Sequence, residues 1–210
     1  MRLTVFGATG GVGGEIVRQA LDAGHEVTAV VRDPARLTAT GDRLRVVEAD
    51  LSDPEALRAA VAGRDAVLSG LGARSRRAAG VTARLTRAVL AAMAAEDVRR
   101  LVIVSAAPVG PAAEGDGPLD RALRSVVSAV LKDVYADLRE TEAELARSTA
   151  EWTSVRPPRL LDRPLTGRYR TVVGGFPRAG RAIGRADVAH AMLAAAGDPQ
   201  TVRQGVGVAY

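Results

Sequence analysis

Seven residues near the start of the chain restrict its fold more than any others. Gly7-Ala8-Thr9-Gly10-Gly11-Val12-Gly13 follows a short apolar run, Arg2–Phe6. It leads into a segment where Val12, Ile16, Val17, Ala20 and Leu21 recur at helical spacing until Gly24. A chain that leaves a strand and enters a helix within one turn needs residues without a Cβ, both for unusual φ angles and for close approach of backbone to backbone. A second strand-like run, Glu26–Val31, follows within about 30 residues of the first, which completes a β-α-β unit.

The spacing is G-x-x-G-x-x-G rather than G-x-G-x-x-G, and the physical logic is the same. Gly7 allows the tight turn, Gly10 lets the backbone approach a pyrophosphate, and Gly13 lets the helix pack close to the sheet. The first N–H groups of the helix then point at phosphate oxygens, with Thr9, Gly11 and Val12 in the same loop. The loop is therefore a candidate dinucleotide cradle.

The remaining pattern predicts strands at Leu44–Glu48, Asp65–Ser69, Arg100–Ser105, Trp152–Arg156 and Val206–Tyr210. It predicts helices at Asp53–Val61, with Asp53 as cap and Pro54 at the first position, and at Val81–Ala95, Leu119–Thr149 (in two pieces) and Ala186–Ala196. Short strand-like pieces and turns fill Leu160–Gly184, and Pro108–Pro118 reads as a loop beside the site. Strands that alternate with helices and are apolar on both faces predict an α/β fold. We expect a doubly wound parallel sheet, a Rossmann fold, with a small C-terminal extension on the substrate side. At 210 residues the expectation is a single domain, 1–210.

In such a sheet the ligand lies beyond the carboxyl ends of the strands. Asp50-Leu51 is placed to flank an adenine. The loops Ser69–Arg74, Ser105–Val109 and Arg156–Arg159, which carry Leu71, Gly72, Arg74, Ser105, Pro157 and Arg159, should line the nicotinamide and the substrate. Strand two ends in Val31-Arg32-Asp33, and Arg36 follows one turn on. Two guanidinium forks suit a ribose 2′-phosphate, so NADP (NADPH) is the expected cofactor and NAD the less favoured one.

Composition excludes several chemistries. With no cysteine, thiolate metal sites, iron–sulfur clusters, disulfides and a Cys nucleophile are out. With only His25 and His190, neither a polyhistidine metal site nor a His-based triad is expected. The net charge is +5, and all but one of the 29 Lys and Arg residues are arginine. These arginines are scattered among carboxylates with no aromatics beside them, which argues for anionic small molecules over nucleic acid. No apolar run has the length of a membrane span, and Met1–Phe6 reads as a strand rather than a leader. The expectation is a cytoplasmic protein without a membrane partner, monomeric or homodimeric.

Gly7–Gly13 with Val31-Arg32-Asp33 resembles the atypical short-chain dehydrogenase/reductases. Leu71-Gly72-Ala73-Arg74, Val155-Arg156-Pro157-Pro158-Arg159, Pro164–Tyr169 and the terminal Tyr210 are similar to the group of biliverdin reductase B, the NADPH-dependent flavin reductase, and its bacterial relatives. The resemblance implies NADP binding and reduction of flavins or similar planar acceptors. It implies cofactor contacts at Gly7, Thr9, Gly10, Gly13, Arg32, Arg36 and Arg74, and an active-site serine at Ser105. The group's histidine after Pro-Pro is Arg159 here. An arginine cannot deliver a proton near neutral pH, but it can hold an anionic acceptor.

Most short-chain dehydrogenases pair a tyrosine with a lysine four residues on. Tyr135 is followed at that distance by Arg139, and the sole lysine, Lys132, precedes it. A helix brings 132, 135 and 139 near one face, so Tyr135 stays a candidate acid. Reduction of a flavin depends less on such an acid than reduction of a ketone does. The expectation is therefore an NADPH-dependent reductase of a flavin or similar conjugated acceptor. The alternatives are an NADP-binding sensor or scaffold without turnover, and a pathway-specific carbonyl reductase or epimerase. The spacing of Asp187 and His190 predicts a contact on one helix, with His190 facing inward or sideways.

Overall fold

The computed structural model describes residues 1–51, 53–72, 80–111 and 131–210. Among the described residues there are ten strands: β1 (Arg2–Phe6), β2 (Glu26–Val31), β3 (Leu44–Glu48), β4 (Ala66–Ser69), β5 (Arg100–Val104), β6 (Glu151–Arg156), β7 (Arg159–Leu161), β8 (Arg170–Val173), β9 (Ala182–Gly184) and β10 (Gln204–Ala209). The helices are α1 (Gly11–Asp22), α2 (Pro54–Val61), α3 (Val81–Ala95), α4 (Lys132–Arg147) and α5 (Arg185–Ala196). The elements follow the sequence reading closely. The pieces between 160 and 184 resolve into β7, β8 and β9, and the second expected helical piece before α4 falls outside the described residues.

The central sheet has eight strands in the order β3-β2-β1-β4-β5-β6-β10-β8. All its pairings are parallel except the edge pair of β10 and β8. β7 and β9 form a separate parallel pair. The strand order reverses between β1 and β4, the switch point where an open α/β sheet forms its binding crevice.

Period-2 alternation divides the strand side chains between two cores. Leu3, Val5, Leu68 and Val102 pack with Ile16 and Val17 of α1 and Val188 and Met192 of α5 on one face. Phe6, Val67, Leu101 and Ile103 pack with Leu57 of α2, Met93 of α3 and Leu145 of α4 on the other.

Three polar side chains fix the helices. Asp53 caps α2 by accepting from the N–H groups of Glu55 and Ala56. The cap residue of α3, Gly80, has no side chain to offer. Buried Asp137 of α4 does the work instead, accepting from Thr82 N–H at 3.0 Å and Ala83 N–H at 2.9 Å. Buried Arg100 donates to the carbonyls of Ala195 and Ala196 at the end of α5, and also to Thr153 and Thr201. A cation on a helix C-terminus satisfies its orphan carbonyls and complements its dipole.

Candidate functional site

The loops at the carboxyl ends of β1, β2, β4, β5 and β6 converge on the switch point. Gly7 takes φ +74°, the left-handed region that glycine favours. A Cβ on Gly13 would lie 2.1 Å from the Gly7 carbonyl oxygen, so α1 starts against the loop with no room for a side chain. Gly70, after β4, closes the same contact. A Cβ there would lie 2.9 Å from Gly13 Cα, and one on Gly7 would lie 2.8 Å from the Gly70 carbonyl carbon. Gly70 lies within the expected Ser69–Arg74 loop, where only Leu71, Gly72 and Arg74 carry an expected cofactor role. A Cβ on Gly72 would meet nothing within 4 Å. The signal available was a glycine directly after a fully buried strand.

Gly10 is the cap residue of α1 and offers no side chain to its N–H groups. Val12 is buried and Gly11 is exposed at the start of the helix. The N–H groups of this first turn have no partner within the helix. At the end of β2, a cavity of about 180 Å³ is lined by Thr9, Arg32, Asp33 and Arg36. Both arginines are exposed, and among the described residues neither makes an ion pair. Asp33 is partly committed, since it accepts from Ala35 N–H at 3.1 Å and caps a one-turn 3-10 helix. Ala49 and Leu51 are buried beyond β3, and Asp50 between them is exposed.

On the other side of the switch point, the loops after β5 and β6 are tied together. Ser105 N–H donates to Val155 O at 2.7 Å, and Ala107 N–H donates to Pro157 O at 2.8 Å. The Ser105 hydroxyl is buried and makes no hydrogen bond of good geometry. It lies close enough to the Glu142 carboxylate to help stabilise its charge. Burial raises the Glu142 pKa, but hydrogen bonds from Arg156 and Ser154 outweigh it and hold the carboxyl below its ordinary value. Ser154 Oγ donates at 2.7 Å and Arg156 Nε at 3.0 Å. The Arg156 guanidinium lies in the space left by Gly110 and Gly205. A Cβ on either would approach Arg156 Nη1, to 2.6 Å and 2.2 Å. Glu142 was not singled out from sequence, because a Glu in a helix as charged as α4 reads as a solvated residue.

Pro157 is buried, and Arg159 begins β7 with its side chain exposed. Arg74 lies outside the described residues. Tyr135 is buried in α4, whereas Lys132 and Arg139 are exposed. The three do not share an environment, because residues three and four apart on a helix still diverge by about half a right angle. Burial pushes the Tyr135 phenol up, the opposite of what a lysine partner does.

The expected Asp187–His190 contact is not formed. Asp187 is fully buried and filled by other donors: Thr166 N–H (3.0 Å), Thr166 Oγ1 (2.9 Å), Gly167 N–H (2.8 Å) and Tyr210 Oη (2.7 Å). His190 is exposed rather than inward-facing, and its Nδ1 lies 2.6 Å from Tyr169 Oη. Burial, with the Asp187 charge, pushes the Tyr169 phenol up to about 12.

These features fit a dinucleotide. There is a glycine cradle that a Cβ would fill, a helix start with free N–H groups, arginines beside a cavity that make no ion pair among the described residues, and a buried serine hydroxyl held only loosely toward Glu142. Comparison with known proteins agrees, since residues 7–199 match the family described as NAD(P)H-binding. The chain belongs to the NAD(P)H-binding family. Among solved structures it is similar to a wide-type short-chain dehydrogenase/reductase from Veillonella parvula in complex with NADP. That likeness has a TM-score of 0.83 at 21% identity and covers 100% of this chain and 94% of that one. It is also similar to a candidate NADH-flavin reductase from Streptococcus pneumoniae (TM-score 0.81, 22% identity, 100% and 99% covered). A third is ChuY, an anaerobilin reductase from Escherichia coli O157:H7 (TM-score 0.80, 22% identity, 100% and 97% covered). At these identities the likeness shows a common Rossmann-like fold. Two curated relatives, from Schizosaccharomyces pombe and Arabidopsis thaliana, are 44% identical over 71 residues, and the match spans only 23% and 17% of their lengths.

Proposed function

We propose that the chain is an NADPH-dependent reductase that passes hydride to a flavin or a similar conjugated acceptor. The observation that carries the cofactor choice is that Arg32 and Arg36, which make no ion pair among the described residues, line one cavity with Thr9. A 2′-phosphate is the ligand group that such a pair stabilises best. Bound NADPH supplies the hydride. The Gly7–Gly13 loop and the start of α1 hold the diphosphate, and Leu71, Gly72 and Pro157 shape the walls toward the nicotinamide. Ser105 Oγ donates a hydrogen bond to the carboxamide or the acceptor, with the Glu142–Arg156 pair fixed behind it.

Tyr135 has Arg139 rather than a lysine four residues on, Lys132 one turn before it is exposed, and its pKa is raised, which argues against the usual activated acid of a ketone reductase. That favours an acceptor whose reduced form takes its proton from water. Arg159 is exposed, makes no ion pair among the described residues, and would anchor a phosphate or carboxylate of the acceptor. The reading is tested by steady-state NADPH oxidation with FMN, FAD and riboflavin, where turnover with at least one flavin is expected. Tight NADPH binding without turnover on any flavin or quinone would favour a second reading, a dinucleotide-sensing protein. That reading has its own support in Arg159, which stands where the resembling reductases carry a histidine.

A further inference from the structure

Gly11 is the first residue of α1, and the space its missing side chain leaves is occupied. A Cβ there would fall 2.6 Å from Cδ of Arg185 and 2.9 Å from its Nε. Arg185 is the first residue of α5, and its backbone is held against α1. Gly184 N–H donates to Tyr210 Oη at 3.0 Å, and Gln19 Nε2 donates to the Ala186 carbonyl at 2.8 Å. The side chain therefore passes Gly11 and carries a guanidinium to the N-terminal end of α1.

That is an unfavourable place for a cation. The start of a helix bears a partial positive charge from its unpaired N–H groups, which attracts anions and repels an arginine. Among the described residues the guanidinium has one acidic partner, Asp162, in the loop after β7, and that carboxylate side chain is 89% exposed. An exposed pair of this kind is worth little, up to about 1 kcal/mol. The arrangement thus brings a cation to a helix N-terminus, relieved among the described residues by one weakly held carboxylate. A doubly charged anion at that spot would satisfy both at once.

We propose that Arg185 is a ligand of the dinucleotide's diphosphate and that Asp162 is its placeholder, pairing with the guanidinium until the diphosphate replaces it. The proposal rests on the dinucleotide reading, but it is independent of whether NADPH or NADH is bound, because both carry the diphosphate. It assigns Gly11 a second purpose, which is to leave room for a side chain from another helix. It also separates two groups of cations. Arg32 and Arg36 face the cavity beside Thr9, whereas Arg185 does not line that cavity and lies against Gly11.

The test is a set of binding isotherms for NADPH, NADH and adenosine 2′-monophosphate on the wild type, Arg185→Gln and Asp162→Asn. Adenosine 2′-monophosphate carries no diphosphate. Losing one charge-assisted contact predicts that Arg185→Gln weakens NADPH and NADH alike by about tenfold or more, and adenosine 2′-monophosphate by less than about twofold. Asp162→Asn removes the competitor and should tighten both dinucleotides, by up to about fivefold. Because Asp162 is exposed, this variant tests the idea even if Arg185→Gln folds poorly. Unchanged dinucleotide affinity in Arg185→Gln, equal weakening of all three ligands, or weaker binding by Asp162→Asn would each overturn the assignment. A loss confined to NADPH would also overturn it, by placing Arg185 at the 2′-phosphate. A wild type that binds no dinucleotide would overturn both this proposal and the reading beneath it.

Discussion

Replacing Asp187 with alanine removes the acceptor that joins the Thr166–Gly167 turn and the terminal Tyr210 to the start of α5. The carboxylate is fully buried and accepts from Thr166 N–H and Oγ1, Gly167 N–H and Tyr210 Oη, at 2.7 to 3.0 Å. A hydrogen bond to a charged group contributes about 1.5–3 kcal/mol taken alone. Four such bonds to one group do not add, and the exposed turn can recover water once it loosens. Two such bonds, taken toward the lower part of that range, give roughly 3–5 kcal/mol. For a chain of this size that lowers Tm by roughly 6–20 °C.

The assay is urea and thermal denaturation followed by far-UV circular dichroism, at several pH values. Burial raises the Asp187 pKa, but the donors from Tyr210, Gly167 and Thr166 outweigh it, so the folded carboxyl titrates below its ordinary value. A depressed folded pKa means that the stabilisation is complete above the unfolded pKa. It drains away as pH falls below about 4 and on through the folded value. The gap between the wild type and Asp187→Ala should therefore be widest near neutrality and close in acid. Asp187→Asn, which keeps the shape without the charge, should fall between them. A loss below about 1 kcal/mol, or a gap that does not change with pH, would refute the reasoning.

Three further outcomes follow from the site. Gly13→Ala and Gly70→Ala each force a Cβ to within 3 Å of backbone, so both should lose at least about 1–3 kcal/mol by denaturation and bind dinucleotide poorly. Arg32→Ala and Arg36→Ala should each weaken NADPH about tenfold and leave NADH nearly unchanged in binding titrations, with no cost in Tm. Tyr135→Phe should retain flavin-dependent NADPH oxidation within about threefold, whereas abolished turnover with intact NADPH binding would make Tyr135 the acid after all.

The frame of this molecule was legible because local and global signals agree. The glycine run, the buried runs of β1, β2 and β5, and the Asp-Pro start of α2 each state their own conformation, and the parallel order follows from their alternation with helices. Contacts that depend on tertiary placement were not legible. Gly70 matters because it meets Gly13 across the switch point, more than fifty residues away in sequence. Asp137 caps a helix other than its own. Glu142 looks solvated until Arg156 is seen passing between two glycines to reach it. Periodicity placed Asp187 beside His190, and it could not show that Thr166, Gly167 and Tyr210 would claim the carboxylate first. Arg185 appeared as one more of many arginines, because nothing in the sequence says that it fills the space beside Gly11.

The central claim is that this chain binds NADPH and delivers its hydride to a flavin. The most direct measurement is anaerobic mixing of the wild-type protein with NADPH and FMN or riboflavin, following nicotinamide and flavin absorbance together. The account predicts that both fall in step, one nicotinamide oxidised per flavin reduced. It also predicts that the rate falls when NADH replaces NADPH or when Arg32 is replaced by alanine. Saturable NADPH binding with neither absorbance changing above the protein-free rate would contradict it.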